Sequence, residues 1–418
     1  MELKRVVITG LGAVTPIGKS VPETWKAALE GVSGAAPITL FDASKHKTQF
    51  ACEVKDFDPL LYFSKKDARK FDRYAQFAVA SATEAVKDAN FDMENTNLDR
   101  IGVIFASGIG GIETFEEEVG AYYADPERNP RFNPFFIPKM IGDIAAGQIS
   151  MMYGFRGPNF GTVSACASST NAICCAFDTI RLGKADAIVT GGAEAAITAS
   201  GVGGFNSMKA LSTRNDSPAT ASRPFSLSRD GFVMGEGSGC LIFEEMEHAL
   251  QRGAKIYAEI VGTAGSADAH HITAPHPEGL GAKLVMQAAL KDAGMKEAAM
   301  FAGFRKLDNL VVIVDNNGLQ IDGPIDQVCS PYPIDKKFEA FNFHVINIDA
   351  HDFDAIRAAF KEARETKGQP TAIIAHSLKG KGVSFMEGQV AWHGVAPNDE
   401  EYAIAMADLE KIGKELEG

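Results

Sequence analysis

The sequence predicts a layered α/β fold, and three observations indicate it. Short runs of β-branched and other apolar residues alternate with longer segments whose apolar side chains recur at helical spacing. Glycine-rich stretches follow several of the apolar runs, as is typical where a strand ends. The 418 residues are 45% hydrophobic and 23% charged, a composition typical of a soluble globular protein. Strands and helices that alternate in this way pack as helices over a sheet.

Charge and cysteine content narrow the range of functions. The formal charge of −13 argues against nucleic acid as a partner, because its phosphates would be repelled. The six cysteines are scattered and form no CxxC pair, which favours a reducing compartment and gives no sign of zinc. The chain opens on a short apolar strand rather than a signal peptide, and no stretch approaches the length of a membrane span. We therefore expect a cytoplasmic protein that binds neither nucleic acid nor a membrane.

The first elements predict core structure rather than chemistry. Residues 5–10 predict a strand that runs into the glycine-rich turn 10–12. A GxG after a strand suggests dinucleotide binding, but the helix and third glycine of that motif do not follow. Residues 66–90 place apolar side chains at helical spacing and predict a buried helix. A strand at 101–106 then leads into the glycines of 107–111, which indicate a close backbone approach rather than a phosphate loop because no GKS or GKT ending follows.

Later elements continue the same alternation. Residues 129–138 are rich in Pro and Phe, which suits either the lining of an apolar pocket or a subunit contact. Strands are predicted at 187–192 and 239–243. Between these two strands lies the segment 223–239, whose glycines indicate tight backbone turns.

The segment 161–170 carries the strongest chemical signal. Its β-branched residues give way to small ones, and Cys166 then opens a predicted helix over residues 167–182. At such a junction, free backbone N–H groups and the helix dipole stabilise negative charge. The small neighbours leave room for an acyl chain and for N–H donors to an oxyanion. Taken alone, the pattern favours a buried, inert cysteine over a reactive one, so the surrounding motifs have to decide.

Further motifs resemble those of one family. They are VSACASS at 163–169, RPF at 223–225, RDGF at 229–232 and DAHHITAP at 268–275. Together they resemble a β-ketoacyl-acyl carrier protein synthase of the elongating type, a condensing enzyme of the thiolase fold. The resemblance covers residues 1–295 and implies a thiolase-like layered α/β first half.

This resemblance implies specific roles. Cys166 would be the catalytic nucleophile, which takes an acyl chain from acyl carrier protein before condensation with malonyl-acyl carrier protein. Acyl and malonyl thioesters would be the substrates, a homodimer the assembly, and no cofactor would be needed. His271 belongs to a pocket-lining stretch in that family and not to its catalytic histidine pair. The implied substrate-binding residues are Gly108, Ile109, Phe205, His271 and Thr273.

The remaining catalytic segments of that family are missing from this sequence. The family carries one histidine in an HGTSTP-type segment, and a lysine and a second histidine in a KSxxGHxxGAAG-type segment. Those histidines donate hydrogen bonds that stabilise the enolate formed when CO2 leaves. The similar string HGVAP at 393–397 lies far too late in the chain to replace them. We therefore expect acyl transfer to Cys166 with impaired condensation.

From residue 296 onward the sequence resembles a different family. The apolar run 310–314 leads into DNNGLQIDG, and SLKGKG and WHG follow at 377–382 and 392–394. Together these segments resemble the thiamine-diphosphate-binding domain of transketolase. The resemblance implies a transketolase-like α/β fragment with strands at 310–314, 344–348 and 371–375.

The second resemblance implies a cofactor site. Mg²⁺ would be held by the side chain of Asn317 and the carbonyl of Leu319, and thiamine diphosphate by His393. The alternatives are a β-turn at 316–318 and an ordinary loop histidine. The GDG segment that supplies a further Asp ligand is missing, since residues 287–292 stand in its place. A metal site that lacks one ligand arm binds weakly or not at all.

The predicted domains are 1–255, the thiolase-like first subdomain; 256–295, the truncated start of a second repeat; and 296–418, the transketolase-like fragment. Three functions follow: an acyltransferase of fatty acid biosynthesis, a thiamine-diphosphate-dependent ketol transferase, or an inactive chimera that serves as a scaffold. The first is preferred because it covers most of the chain and includes the nucleophile.

Overall fold

The computed structural model describes residues 3–125, 127, 131–294, 298–320, 323–328, 330–392 and 395–417. The chain divides into two compact units, Met1–Ala288 and Ala289–Gly418. The finer boundaries predicted from the sequence, after residues 255 and 295, stay predictions. No described helix is long and apolar enough to cross a membrane.

The first unit contains most of the regular structure. Its strands are β1 Val6–Val14, β2 Ala35–Pro37, β3 Phe50–Cys52, β4 Ile101–Ala106, β5 Asn159–Phe160, β6 Ala187–Glu194, β7 Gly237–Glu245 and β8 Ala258–Ile260. Its helices are α1 Val21–Leu29, α2 Lys65–Ala68, α3 Arg73–Ala89, α4 Ile112–Ala124, α5 Phe136–Met140, α6 Ile144–Tyr153, α7 Ser168–Arg181, α8 Ala199–Ser207 and α9 Met246–Gln251, with α10 Leu280–Asp292 crossing into the second unit.

The described strands of the main sheet lie in the order β5-β4-β6-β7-β1-β8. β4 is parallel to β5 and β6, whereas β6 with β7, β7 with β1, and β1 with β8 are antiparallel. Helices cover both faces, because α3 and α6 share one apolar core with the sheet and α7 shares another. The predicted layered α/β class is confirmed, and the four strands predicted in this unit correspond to β1, β4, β6 and β7.

The predicted turn at Gly10-Leu11-Gly12 is wrong, because these residues continue strand β1. Gly12 pairs with Cys240 of β7. A Cβ on Gly12 would lie 1.9 Å from the carbonyl oxygen of Ser81, and one on Gly10 2.3 Å from that of Ala85. The glycines therefore let the backbone of α3 approach the strand closely, and they form no nucleotide loop.

The helix predicted over residues 66–90 is divided in two. α3 begins after Asp72, whose side chain accepts a hydrogen bond from the backbone N–H of Tyr74. The other carboxylate oxygen of Asp72 accepts from the backbone and hydroxyl of Thr114, at 2.9 and 2.7 Å. Asp72 thus caps α3 and ties it to α4. Asn90, in the left-handed conformation, ends the helix.

The second unit is built on a small parallel sheet. Its strands β9 Val311–Asn316, β12 His344–Asp349 and β13 Thr371–His376 lie in the order β12-β13-β9, and β10 Leu319–Gln320 pairs with β11 Gly323–Pro324. The helices are α11 Ala298–Phe304, α12 Ile325–Val328, α13 Ile334–Ala340, α14 Phe353–Glu365 and α15 Asp399–Glu417. The three strands predicted here are confirmed. Ala302, Phe343, Ala372 and Ile374 form the buried core.

Candidate functional site

Cys166 lies in a sharp turn directly before helix α7. Ala165 has a φ of +51°, in the left-handed region that is uncommon for a residue with a side chain. The N–H groups of Ala167 and Ser168 donate to the carbonyls of Ser164 and Ala165, both at 3.1 Å. This turn leaves the thiol exposed. The positive end of the α7 dipole therefore lies next to the sulfur.

Ser168 holds this turn together. Its hydroxyl donates to the carbonyl of Ala165 at 2.7 Å and accepts from the backbone N–H of Ser164 at 2.8 Å. Asn171, one helical turn on, donates to the Ser164 hydroxyl at 2.6 Å. Ser168 is buried. The sequence analysis treated Ser168 only as one of the small residues beside Cys166. A serine at the start of a helix gives no sign in the sequence that its hydroxyl bonds to the preceding turn.

The thiol opens into a cavity of about 700 Å³. The walls are formed by the ends of β1, β4 and β6, by the start of β7 and by α8. The turn 164–168, which carries Cys166 and is called the nucleophile turn below, completes the lining. Three predicted substrate residues line it together with Cys166, namely Gly108, Ile109 and Phe205. The structure therefore brings the predicted nucleophile, Cys166, and these three residues to one place.

Aromatic and aliphatic side chains form the apolar part of this cavity. Phe205 and Phe232 meet edge to face, with ring centroids 5.4 Å apart. Met234 completes the same wall and is buried. The sequence singled out Phe232 only as part of a motif, since nothing local shows which way its ring points.

Two carboxylates also border the cavity and were missed by the sequence reading. Glu236 is 1% exposed at its side chain and pairs with Arg73, whose Nη2 lies 2.7 Å from its Oε1. Glu194, at the end of β6, faces the loop after β4. Burial raises the pKa of the Glu194 carboxyl, although hydrogen bonds from Ser107, Gly108 and Ile109 oppose that effect.

His271 and Thr273, the other two predicted substrate residues, do not line the Cys166 cavity. They lie in the stretch 261–279, which forms neither strand nor helix, and Ile272 between them is 93% exposed. His271 Nδ1 accepts from the N–H groups of Thr273 and Ala274, at 3.2 and 3.1 Å. The sheet gives this stretch no support after β8 ends, so its polar groups bond locally instead of reaching the pocket.

No histidine and no lysine lines the cavity among the residues that the structure describes. The cavity has an exposed thiol, apolar walls and the N-terminus of helix α7 beside it. It offers no imidazole or ammonium group to stabilise a developing enolate.

In the second unit, the predicted metal residues Asn317 and Leu319 line one cavity at the end of β9. Asn317 Oδ1 accepts from the backbone N–H of Leu319 at 3.0 Å, which is the turn alternative raised by the sequence. The adjacent Asn316 Oδ1 accepts from the Tyr332 hydroxyl at 2.7 Å. Across the described parts of both units, no group of three or more His, Cys, Asp and Glu side chains is arranged to hold a metal ion. His393 lies outside the described residues.

The oxygen atoms available at this site do not fit the binding of Mg²⁺ with thiamine diphosphate. In the cavity at the end of β9, Asp315 is the one carboxylate among the described lining residues, and it accepts a hydrogen bond from the Ser377 hydroxyl. A hard divalent cation needs several free oxygen ligands at one point. The side-chain oxygens of Asn316 and Asn317 are already used within the protein, so no reaction step is assigned to this cofactor.

Comparisons with known families match both parts of the chain. Residues 3–249 match the family described as beta-ketoacyl synthase, N-terminal domain, and residues 257–300 match its C-terminal domain. Residues 282–410 match transketolase, thiamine diphosphate binding domain. The last two matches overlap in the same region as the junction predicted near Met295.

Known proteins resemble the first part of the chain. A 3-oxoacyl-acyl-carrier-protein synthase 2 of Staphylococcus aureus (strain COL) is 51% identical over 294 residues, which are 70% of each chain. A protein of the same name from a Synechocystis strain is 49% identical over 297 residues, 71% of each chain.

Solved structures resemble it in fold. The crystal structure of a beta-ketoacyl synthase from Burkholderia phymatum has a TM-score of 0.65 and 32% identity, and covers 74% of this chain and 73% of its own. A type II PKS acyl-carrier protein in complex with its ketosynthase gives a TM-score of 0.64 and 30% identity, and covers 74% of this chain and 73% of that one. These likenesses confirm the thiolase-like α/β fold predicted for the first half.

Proposed function

The chain belongs to the β-ketoacyl synthase family, and from that premise we propose that it is an acyltransferase of fatty acid biosynthesis with Cys166 as the acyl acceptor. One observation carries the proposal: an exposed thiol stands at a helix N-terminus and opens into an apolar cavity of about 700 Å³. A cavity of this volume is typical of pockets that bind small molecules, so it can accommodate an acyl chain.

The proposed chemistry is thioester exchange. The Cys166 thiolate attacks the carbonyl carbon of an acyl thioester, and negative charge collects on the carbonyl oxygen. Collapse of the tetrahedral intermediate breaks the bond to the carrier sulfur, which leaves as a thiol after taking up a proton. The partial positive charge at the start of α7 stabilises the developing oxyanion. The reaction uses no cofactor.

Condensation with malonyl-acyl carrier protein is the step that we propose to be impaired. Decarboxylation leaves an enolate, which needs hydrogen-bond donors such as imidazole groups to be formed at a useful rate. The absence of histidine and lysine from the described cavity lining supports this part of the proposal. The acyl group would then remain on Cys166.

We extend the proposal to the partners and the assembly. Acyl carrier protein supplies the acyl thioester, and a second copy of the chain completes a homodimer. Support for the dimer comes from β5, which pairs with β4 and stands at the outer edge of the described sheet, with Phe160 and Val163 exposed nearby. A cytoplasmic location stays a prediction from the sequence.

Intact-protein mass spectrometry with an acyl-acyl carrier protein tests the proposal. We expect one acyl adduct on the wild-type chain and on Cys174→Ala, and none on Cys166→Ala. Cys174 is the matched control because it sits on α7, where burial raises the pKa of its thiol. An unmodified wild-type protein, or an adduct that survives Cys166→Ala, would show the proposal to be wrong.

A further inference from the structure

Glu194 stands where two neighbouring strands end. β4 and β6 are parallel, and Ala106 lies opposite Gly192. The carboxyl ends of the two strands therefore meet at one edge of the sheet. Glu194 is the last residue of β6 at that edge, and the loop 107–110 follows the end of β4 at the same edge. The nucleophile turn lies against the same loop.

The Glu194 carboxylate binds three successive residues of this loop. Oε2 accepts from the N–H of Gly108 at 2.8 Å, and Oε1 accepts from the Ser107 hydroxyl at 3.0 Å and the N–H of Ile109 at 3.4 Å. Ser107 extends the network, because its hydroxyl accepts from the N–H of Gly110 at 2.9 Å. Backbone N–H groups at a part-buried site destabilise a protein when left unpaired. The conformation of the loop therefore depends on this carboxylate.

The same cluster contacts the turn that carries the nucleophile. A Cβ on Gly108 would lie 2.8 Å from Glu194 Oε2 and 3.2 Å from the carbonyl oxygen of Ala165. Ala165 directly precedes Cys166. The carboxylate, the loop and the nucleophile turn are thus packed together, and all three border the cavity.

We propose that Glu194 is a positioning residue for acyl transfer, because its carboxylate holds the 107–110 loop against the nucleophile turn. This fixes where Ile109, which is 46% exposed, borders the acyl cavity, and so determines which chain lengths fit in front of Cys166. Glu194 forms no bond to the substrate. The inference rests on the proposed acyl transfer and names the residue that sets its specificity.

Glu194→Gln is the variant to test. Glutamine keeps the size of the side chain but replaces one acceptor oxygen with an NH2 group. That NH2 group would face at least one N–H group of the loop, and two donors cannot form a hydrogen bond with each other. Glu53→Gln is the matched control. Glu53 is buried and, like Glu194, accepts from two backbone N–H groups and a hydroxyl, here those of Thr39 and Leu40, but it does not line the cavity.

The readout is the ratio of Cys166 acylation rates with a short and a long saturated acyl-acyl carrier protein. We expect this ratio to change by about tenfold in Glu194→Gln, since a displaced wall alters which chain is well placed. We expect it to be unchanged in Glu53→Gln. Equal loss with both chains, or the same change of ratio in both variants, would overturn the proposal.

A second probe separates this proposal from the proposed function. N-alkylmaleimides with short and long alkyl chains label Cys166 without any carrier protein. If the wild type takes no acyl group, the acyltransferase proposal fails, and the ratio of maleimide rates still tests Glu194. If Glu194→Gln does not fold, Ser107→Ala takes its place, because it removes one hydrogen bond of the same network. We then expect the short-to-long ratio of acylation rates and the short-to-long ratio of maleimide labelling rates to shift in the same direction as each other. A Ser107→Ala protein with wild-type ratios would contradict the proposal.

Discussion

Glu244 is a fully buried carboxylate on β7 that is neutralised by its neighbours. Arg252 donates to it through Nε and Nη2 at 2.6 and 2.7 Å, and Thr9 donates through its hydroxyl at 2.7 Å. His248 Nδ1 lies 2.6 Å from Oε1. Burial raises the pKa of Glu244, but these hydrogen bonds outweigh it, so the pKa is lowered overall. The folded protein therefore favours the charged carboxylate, and this contribution to stability is lost as the pH falls through the lowered pKa of Glu244.

His248 gives this cluster a pH dependence. The hydrogen bond to Glu244 raises the pKa of His248 above its ordinary value. A raised pKa means that the contribution of His248 to stability is fully present below about pH 6.5 and is lost as the pH rises through the folded-state value. We expect the Tm of the wild type to fall relative to that of His248→Gln by about 1–3 °C between about pH 6 and about pH 9. Thermal unfolding followed by circular dichroism measures this, and parallel pH profiles would contradict it.

At the level of elements, the packing of α3 on β1 depends on glycine. The Cβ that Gly12→Ala introduces would overlap the Ser81 carbonyl oxygen at 1.9 Å, which is backbone and cannot turn away. We expect this substitution to destabilise the first unit by about 3 kcal/mol or more, since helix and strand must separate. Denaturant unfolding measures the change.

Gly239→Ala is the control for this prediction. Gly239 lies on β7 opposite Ala13, and a Cβ there meets no described atom within 4 Å. We expect a change of about 1 kcal/mol or less. Equal destabilisation by both substitutions would show that strand propensity, and not the helix contact, explains the Gly12 result.

The elements also show how far sequence reasoning reached. Strands β4 and β6 were predictable because each begins with a run of mostly apolar residues, 101–106 and 187–189, and glycines follow shortly after each run. The turn at Gly10-Leu11-Gly12 was not, because the reason for those glycines is Ser81 and Ala85 on a helix far along the chain. The split of the predicted 66–90 helix falls at Asp72, which caps α3 through the backbone N–H of Tyr74 and also accepts hydrogen bonds from Thr114 of α4. Local patterns predict elements, whereas long-range contacts decide where they begin, end and touch.

At the level of the whole molecule, the candidate site was predictable where it is local in sequence. Cys166 lies in a recognisable motif, Gly108 and Ile109 were assigned through the family resemblance, and the structure places all three around one cavity. Glu194 carried no signal, because a glutamate after a strand looks like any surface carboxylate until the loop that it binds is known. His271 was linked to the pocket by resemblance alone, and in the structure it lies in an irregular stretch outside the cavity.

The two units differ in what they offer chemically. The first has an exposed thiol, Cys166, that lines an apolar cavity, while the side-chain oxygens of Asn316 and Asn317 in the second already accept hydrogen bonds within the protein. We expect that thiamine diphosphate with Mg²⁺ gives no shift in Tm, since a ligand stabilises a fold only when it binds the folded state. Differential scanning fluorimetry with and without the pair measures this. A saturable rise in Tm that requires both additives would contradict our assignment of the second unit.

The most direct test of the central claim is a chase of the isolated acyl enzyme with malonyl-acyl carrier protein, followed by intact-protein mass spectrometry and product detection. Cys166 is the proposed acyl acceptor, and no histidine or lysine is among the described residues that line its cavity. We therefore expect the adduct to persist and no β-ketoacyl product to form. Discharge of the adduct with release of a β-ketoacyl thioester would contradict the claim and show that another group supports decarboxylation.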